Sequence, residues 1–384
     1  MKRVAILGST GSIGRSTLEV IRGLGQGYQV VALSANSSWE SLAEQVAEFR
    51  PRRVVLTEPA GKESLRGKLR GNSAEVSVGP DALAQLAADA DVDIFVVAIV
   101  GAAGLPATVA AAKSGKTLAI ANKEPLVMAG GIVMALAQQH GTTVVPVDSE
   151  HSAVFQALRA GKRSEVRRIV ITASGGPFRD APPETLAAVT PAQALNHPTW
   201  RMGAKITVDS ATLMNKALEV VEAKWLFGLD ASQIDVVVHP QSIIHSMVEF
   251  CDGSVVAQMG LPDMKVPIRF ALTYPDRAET AVPPLDLVKL GSLTFQTPDF
   301  GKFPALRLGY EAARTGGTLG AVLNGANEVA VKGFLDGHIK FTDIIPLVEQ
   351  ALRRHSVVPS PSLDDIIRAD EWARSEVHRC LSTN

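Results

Sequence analysis

Between a β-branched run, Arg3–Leu7, and a helical segment starting near Ser12 lie Gly8, Gly11 and Gly14, spaced G-x-x-G-x-x-G. This spacing constrains the chain more than any other feature. Three glycines permit a tight strand-to-helix turn whose bare backbone amides face a diphosphate. Gly8-Ser9-Thr10-Gly11-Ser12-Ile13-Gly14 therefore reads as a variant dinucleotide fingerprint. Beyond it, Ile13, Leu18, Ile21 and Leu24 are spaced to share one helix face.

The pattern then repeats. Candidate strands at Arg3–Leu7, Gln29–Leu33, Arg53–Leu56, Ile94–Val100, Thr117–Ile120 and Thr143–Pro146 alternate with helical segments. Such alternation predicts a parallel sheet covered on both faces, a Rossmann-like domain over residues 1–149. Strand signals resume at Ile169–Thr172, Val236–Val238, Ser242–Glu249 and Val255–Gly260, with a long helix near Ser210–Phe227 between them. Residues 150–278 thus read as an α+β domain, the Pro-rich stretch 279–304 as a linker. Residues 305–384 read as a helical bundle, with segments Pro304–Thr315, Leu319–Leu335, Ile344–His355 and Leu363–Leu381. The fold class is α/β, in three parts.

Composition narrows the partners. Lys plus Arg is 38 against 39 Asp plus Glu, a formal net charge of −1, which gives no electrostatic basis for nucleic-acid or acidic-membrane binding. Two cysteines, Cys251 and Cys380, suit a reducing compartment, and no secretory leader is read from Met1-Lys2-Arg3. The uncharged stretch from Ile94 to Ala112 is broken by Gly and Pro and reads as strand, turn and helix, not a membrane span. A cytoplasmic enzyme is the expectation.

The second strand ends in Leu33-Ser34-Ala35-Asn36-Ser37-Ser38, without the acid that holds ribose hydroxyls in NAD-preferring sites. Its absence favours NADP. Ser37 and Ser38 could donate to a 2′-phosphate, although the turn carries no Arg or Lys, and the same residues also suit plain helix capping.

Carboxylates suited to a hard metal follow. In extended geometry Asp148 and Glu150, after the strand Thr143–Pro146, would point to one face. Asn215, Glu219 and Glu222 share a helix face by their spacing of four and three. All-oxygen ligation by Asp148, Glu150 and Glu219 points to Mg²⁺ or Mn²⁺; His151, His197, His239 and His245 lack zinc spacing. Simple capping by Asp148 and Glu150 stays open.

Three segments suit an anion. Thr172–Phe178 is a hydroxyl-and-glycine turn containing Ser174. Val208–Thr212 reads as the opening of the long helix, with Ser210 near its start and Asn215 and Lys216 a turn later. The loop His197–Gly203 carries Trp200, which either anchors the loop in the core or covers a ligand. Lys123 follows a parallel strand, where ligands bind, or else faces solvent.

In this order the blocks Gly8–Gly14, Ala121–Glu124, Val147–His151, Ser174–Phe178, His197–Gly203, Lys205–Glu222, His239–Val248 and Leu323–Val331 resemble the 1-deoxy-D-xylulose 5-phosphate reductoisomerase family. The resemblance implies an NADPH- and divalent-metal-dependent rearrangement and reduction of a phosphorylated sugar to 2-C-methyl-D-erythritol 4-phosphate, in non-mevalonate isoprenoid precursor synthesis, by a homodimer. It implies Asp148, Glu150 and Glu219 as metal ligands and Lys123 as a catalytic group. It implies Ser149, Ser174, His197, Trp200, Ser210, Asn215 and Lys216 against the substrate, and Glu222 in support. It implies Gly8, Thr10, Gly11, Ser12, Ile13, Ala35, Asn36, Ser37, Asn122, Glu124 and Gly203 against the cofactor. Two residues depart from the family's habit: Pro125, which suits a first helical turn, and the uncharged Asn36-Ser37-Ser38 turn. The competing readings are an NADP-dependent dehydrogenase of another phosphorylated aldehyde and a non-enzymatic nucleotide sensor.

Overall fold

The computed structural model describes residues 1–382. The chain forms two compact units: residues 1–125, 133–152 and 263–283 in one, and residues 126–132, 153–262 and 284 onward in the other.

The first unit is built on seven strands: β1 Lys2–Leu7, β2 Tyr28–Ala35, β3 Arg53–Leu56, β4 Glu75–Val78, β5 Ile94–Val97, β6 Thr117–Ile120 and β7 Thr143–Pro146. They lie in the order β4-β3-β2-β1-β5-β6-β7, and every pairing is parallel. Strands covered on both faces should be continuously apolar. Accordingly Val4–Leu7 and Ile94–Val97 are buried throughout. β4 was not legible as a strand: it is four residues of an edge, half-exposed, with Glu and Ser among them. The strand order reverses between β1 and β5, and the crevice at such a reversal is where open α/β sheets bind ligands. Leu7 is in register with Val97 and Ser34, so Gly8, Ala98 and Asn36 emerge at the same carboxyl edge. The helix Lys265–Thr273 packs on the helix Ser12–Leu24, joined by Lys265–Glu19 at 2.9 Å.

The second unit contains a four-stranded mixed sheet of β8 Val166–Ala173, β9 Ile234–Val238, β10 Ile244–Phe250 and β11 Val255–Met259, ordered β11-β10-β8-β9. β10 is antiparallel to β8 and β11, while β8 and β9 run parallel. The expected single helix near Ser210–Phe227 is instead two, Ala204–Thr212 and Met214–Phe227, broken at Leu213 with φ +61°. Local propensity does not predict this break, because Leu favours helices. Tertiary packing holds it: Leu213 is buried in a cluster with Ala173 and Phe303.

Four helices, Ala305–Thr315, Leu319–Leu335, Ile344–Arg354 and Leu363–Ser382, follow within one residue of their expected bounds. Glycine allows close approach: a Cβ on Gly309 would lie 2.5 Å from the Ala217 backbone, so Ala305–Thr315 seats directly on Met214–Phe227. Among the described residues no helix is long and apolar enough to cross a membrane.

Candidate active site

At the β1 exit, Gly8 has φ +90° and a Cβ there would sit 2.5 Å from the Ala98 carbonyl oxygen. A Cβ on Gly14 would run into the backbone of Gly8 and Ser9. Only glycine fits either place. Ser9 is fully buried and pinned, its Oγ donating to Gln45 Oε1 at 2.6 Å and its carbonyl accepting from Gln45 Nε2 at 3.0 Å. Gly8 N donates to Ser34 Oγ at 3.0 Å. The helix behind begins at Ser12 with Gly11 as N-cap, no side-chain cap and no acid in its first turn. Its first amides and positive dipole end therefore face the crevice unanswered. Thr10 and Ile13 are half-buried beside the exposed Gly11 and Ser12. This cradle fits a dinucleotide diphosphate.

Ala35 ends β2 buried, and Asn36, Ser37 and Ser38 follow exposed. Ser38 is the N-cap of the helix Trp39–Phe49, yet its side chain makes no capping bond, so plain capping does not account for this turn. At the β6 exit, Asn122 Nδ2 donates to Glu124 Oε2 at 2.7 Å and to Gly101 O at 3.3 Å. Asn122 Oδ1 is buried without a hydrogen-bond partner among the described residues. An orphaned acceptor at the carboxyl edge of the sheet fits a cofactor donor group. Gln45 was not identified from the sequence; nothing in its spacing marks it.

Lys123 is buried, not solvated as one reading allowed, and its Nζ meets Asp148 Oδ2 at 2.8 Å. Glu124 starts the helix Glu124–His140 and Pro125 occupies its first turn, where its missing N–H is harmless. Asp148 and Glu150 do not share the face of an extended strand as their spacing predicts. β7 ends at Pro146, and Ser149–Ala157 is a helix with Glu150 in its first turn. The two carboxylates nevertheless present oxygens within 4.8 Å of one another, because a helix start curls Glu150 back over Asp148. Ser149 Oγ donates to Glu150 Oε2 at 2.6 Å. His151, fully buried, brings a ring nitrogen within 4.8 Å of an Asp148 oxygen. That contact was missed; the signal would have been D-x-x-H at a helix start. The Lys123 ammonium offsets the repulsion between paired carboxylates. Two carboxylates with oxygens this close form a hard donor set, which fits Mg²⁺ or Mn²⁺.

In the second unit, Gly175 and Gly176 take φ of +84° and +70°. A Cβ on Gly176 would lie 2.6 Å from the Ser210 carbonyl oxygen, so the Ser174–Phe178 turn rests on the end of Ala204–Thr212. Ser210 thus sits in the last turn of one helix, not the first turn of a long one. The start of Met214–Phe227 lies just beyond; its N-cap Leu213 makes no side-chain cap bond, and Met214 N donates to Thr212 Oγ1 at 3.3 Å. Asn215 Nδ2 donates to Glu219 Oε1 at 2.6 Å and Lys216 Nζ to Glu219 Oε2 at 2.7 Å. Lys216, Glu219 and Glu222 are all buried, so Lys216 does not face solvent. Asp209, 1% exposed, is held by Lys205 Nζ and by Asn327 Nδ2, each at 2.8 Å.

The loop before this helix is folded over Ser174. His197 Nδ1 accepts from the Thr199 and Trp200 amides at 3.1 and 2.9 Å. The proton therefore rides on Nε2, which lies 3.1 Å from Ser174 Oγ. Burial pushes the His197 pKa below its ordinary value. Trp200 is half-buried, with its ring 6.3 Å from that of His245. Gly203 is the N-cap of Ala204–Thr212.

Three family models match the chain. One described as 1-deoxy-D-xylulose 5-phosphate reductoisomerase covers residues 4–130, and its C-terminal-domain models cover 144–227 and 259–376. The chain is 51% identical over 381 residues to the 1-deoxy-D-xylulose 5-phosphate reductoisomerase of Chlorobaculum tepidum, covering 99% of this chain and 100% of that one. It is 53% identical over 376 residues to that of Heliobacterium modesticaldum, covering 97% and 96%. Among solved structures it is similar to the Zymomonas mobilis reductoisomerase in complex with NADPH, at TM-score 0.93, 46% identity and full coverage of both chains. It is also similar to a DOX-P reductoisomerase in complex with NADPH, fosmidomycin and magnesium, at TM-score 0.95, 41% identity and coverage of 100% and 98%.

Proposed function

The chain belongs to the 1-deoxy-D-xylulose 5-phosphate reductoisomerase family, and from that premise we propose how its own residues divide the work. The reaction rearranges the carbon skeleton of 1-deoxy-D-xylulose 5-phosphate and reduces the resulting aldehyde to 2-C-methyl-D-erythritol 4-phosphate. When bound, NADPH supplies the hydride and a divalent cation polarises the substrate's ketone and hydroxyl oxygens.

Residues 1–149 form the NADPH-binding part, with Gly8, Thr10, Gly11, Ser12 and Ile13 under the diphosphate and Ala35, Asn36 and Ser37 toward the adenosine end. Asn122, Glu124 and Gly203 complete the cofactor contacts. Asp148, Glu150 and Glu219 hold the cation, with Glu222 in support. Lys123, already on Asp148, orients substrate and stabilises charge growing on its oxygen. Ser149 touches substrate. Ser174, Ser210, Asn215 and Lys216 bind the phosphate, at the start of the helix Met214–Phe227, whose dipole favours an anion. His197 and Trp200 close over it and exclude water. Residues 150–278 form the catalytic and dimerisation part, 279–304 the linker and 305–384 the helical part. The enzyme works in the cytoplasm as a homodimer: among the described residues β11 pairs only with β10, and Val255 and Met259 are 54% and 37% exposed along it.

The observation that carries this reading is the buried Lys123–Asp148 pair beside Glu150, at the carboxyl edge of a sheet whose glycine cradle fits a dinucleotide. Its test is NADPH oxidation by purified protein with 1-deoxy-D-xylulose 5-phosphate and Mg²⁺ or Mn²⁺, with the product identified by NMR. A branched methylerythritol phosphate formed only with metal is expected. An unbranched reduced product, or no turnover from folded NADPH-binding protein, would overturn it.

A further inference from the structure

The β2 turn leaves a charge unanswered, since Asn36, Ser37 and Ser38 offer an amide and two hydroxyls but no cation. The fold brings one from the next strand. β3 lies beside β2, and its exit is stitched to that turn. Thr57 N donates to Ala35 O and Glu58 N to Asn36 O, each at 3.0 Å, and Thr57 Oγ1 donates to Asn36 Oδ1 at 2.7 Å. The chain then turns through Pro59–Gly61, where a Cβ on Gly61 would lie 2.7 Å from Trp39 Cδ1. Trp39 directly follows Ser38, and its N–H donates to Ser37 O at 2.8 Å. Lys62 is the residue after Gly61, the first of the helix Lys62–Lys68. It is half-buried and pairs with no carboxylate among the described residues. Arg53 of the same strand is already engaged with Asp89 at 3.1 Å.

We propose that Lys62 is the cation for the cofactor's 2′-phosphate, and that with Ser37 and Ser38 it sets this chain's preference for NADP over NAD. The inference rests on the reading of the chain as an NADPH enzyme. A lysine is a point charge on a flexible stem, so it reaches a phosphate without the fixed fork an arginine needs. Both serine hydroxyls are exposed, and Ser38 spends no bond on its helix. No carboxylate stands in the β2 turn to repel the phosphate. Glu58 and Glu63 in the β3 exit are exposed and weaken the local field, which keeps the preference moderate. Arg15, exposed on the Ser12–Leu24 helix, lies behind the diphosphate cradle and acts on both cofactors alike.

The experiment is calorimetric binding of NADPH, NADH, 2′,5′-ADP and 5′-AMP to the full chain, for wild type, Lys62→Gln, Lys62→Arg and Arg15→Gln, with thermal melts to confirm folding. Lys62→Gln is expected to weaken NADPH and 2′,5′-ADP about tenfold, as loss of one charge-assisted contact should, and to leave NADH and 5′-AMP unchanged. Lys62→Arg restores most of the loss, and Arg15→Gln weakens NADPH and NADH equally. Equal weakening of both cofactors by Lys62→Gln, no weakening at all, or a selective NADPH loss in Arg15→Gln overturns the proposal. Wild type that binds neither NADPH nor NADH defeats the underlying reading, and the proposal with it.

Discussion

Alanine at Gly176 tests whether a glycine contact places the phosphate-binding turn. Gly176 has φ +70°, and its β-carbon would meet the Ser210 oxygen at 2.6 Å and Ala211 Cα at 3.2 Å. Left-handed backbone costs a residue with a side chain about 1–2 kcal/mol. The obstacle is helix backbone, whose Ser210 carbonyl accepts from Leu213 N at 3.3 Å, so it cannot swing aside like a side-chain tip. Overpacking of that kind adds roughly 1–3 kcal/mol. A loop that stays down should lower the melting temperature by several degrees, at about 2–4 °C per kcal/mol for a unit of this size. If the loop lifts, Ser174 leaves its 3.1 Å contact with His197, and misplacement near 1 Å lowers kcat/KM by up to about 10²-fold. The assay pairs a thermal melt with steady-state kinetics in substrate. Gly67→Ala is the control: it is exposed within the helix Lys62–Lys68 and no atom lies within 4 Å of its added carbon. That change should be neutral in stability or stabilising by about 0.4–1 kcal/mol. If Gly176→Ala matched Gly67→Ala in both melt and KM, close approach to Ser210 would not be what places this turn.

Lys123→Met leaves a mostly buried carboxylate without its ammonium; kcat should fall by about 10²–10³-fold, and a melt without metal should show a loss on the order of 3 kcal/mol. An unchanged kcat in folded protein would remove Lys123 from the chemistry. His197 has its pKa lowered by burial, so the folded loop binds fewer protons than the free one. Its contribution is intact above the ordinary histidine value, falls as pH drops below that value, and is gone below the lowered one. Substrate KM should therefore rise through that acid window in wild type, and a flat profile counts against the latch. Asp209→Asn strips Lys205 of its partner, but that side chain is 16% exposed and reaches water, so the cost should sit near 3 kcal/mol, read from a denaturant midpoint. Chelation should abolish turnover, Mn²⁺ should restore it, and saturating Mn²⁺ should raise the melting temperature by mass action.

Much of the fold was legible because its signals are local. β1, β5 and β6 are runs of apolar residues set by burial on both faces, and the C-terminal helices carry clear periodicity. The glycine cradle was legible in part for the same reason: a Cβ on Gly14 would meet Gly8 and Ser9 within the turn, whereas the bar to a Cβ on Gly8 comes from Ala98, past the neighbouring strand β5. β4 escaped because an edge strand needs only one buried face and Glu75-Val-Ser-Val has little apolar content. Asp148 and Glu150 were right in chemistry and wrong in geometry. Where a strand stops and a helix starts is decided by packing beyond a few residues, and β7 ended one residue before the expected extension began.

The sequence by itself determined which residue types can bear the chemistry and the order in which the chain presents them. It also set the one glycine demand that is met within a few bonds, that of Gly14 against Gly8 and Ser9. Tertiary structure alone decided that Leu213 breaks a helix its own propensity would continue, so that Ser210 ends one helix and Asn215 and Lys216 begin the next. It alone buried Lys216 against Glu219 and Lys123 against Asp148. It alone carried Lys62, 24 positions beyond Ser38, to the flank of an uncharged turn through the contact of Gly61 with Trp39. Charges meet across such distances only when sheet register and helix packing fix both backbones, and that information is spread over the whole core.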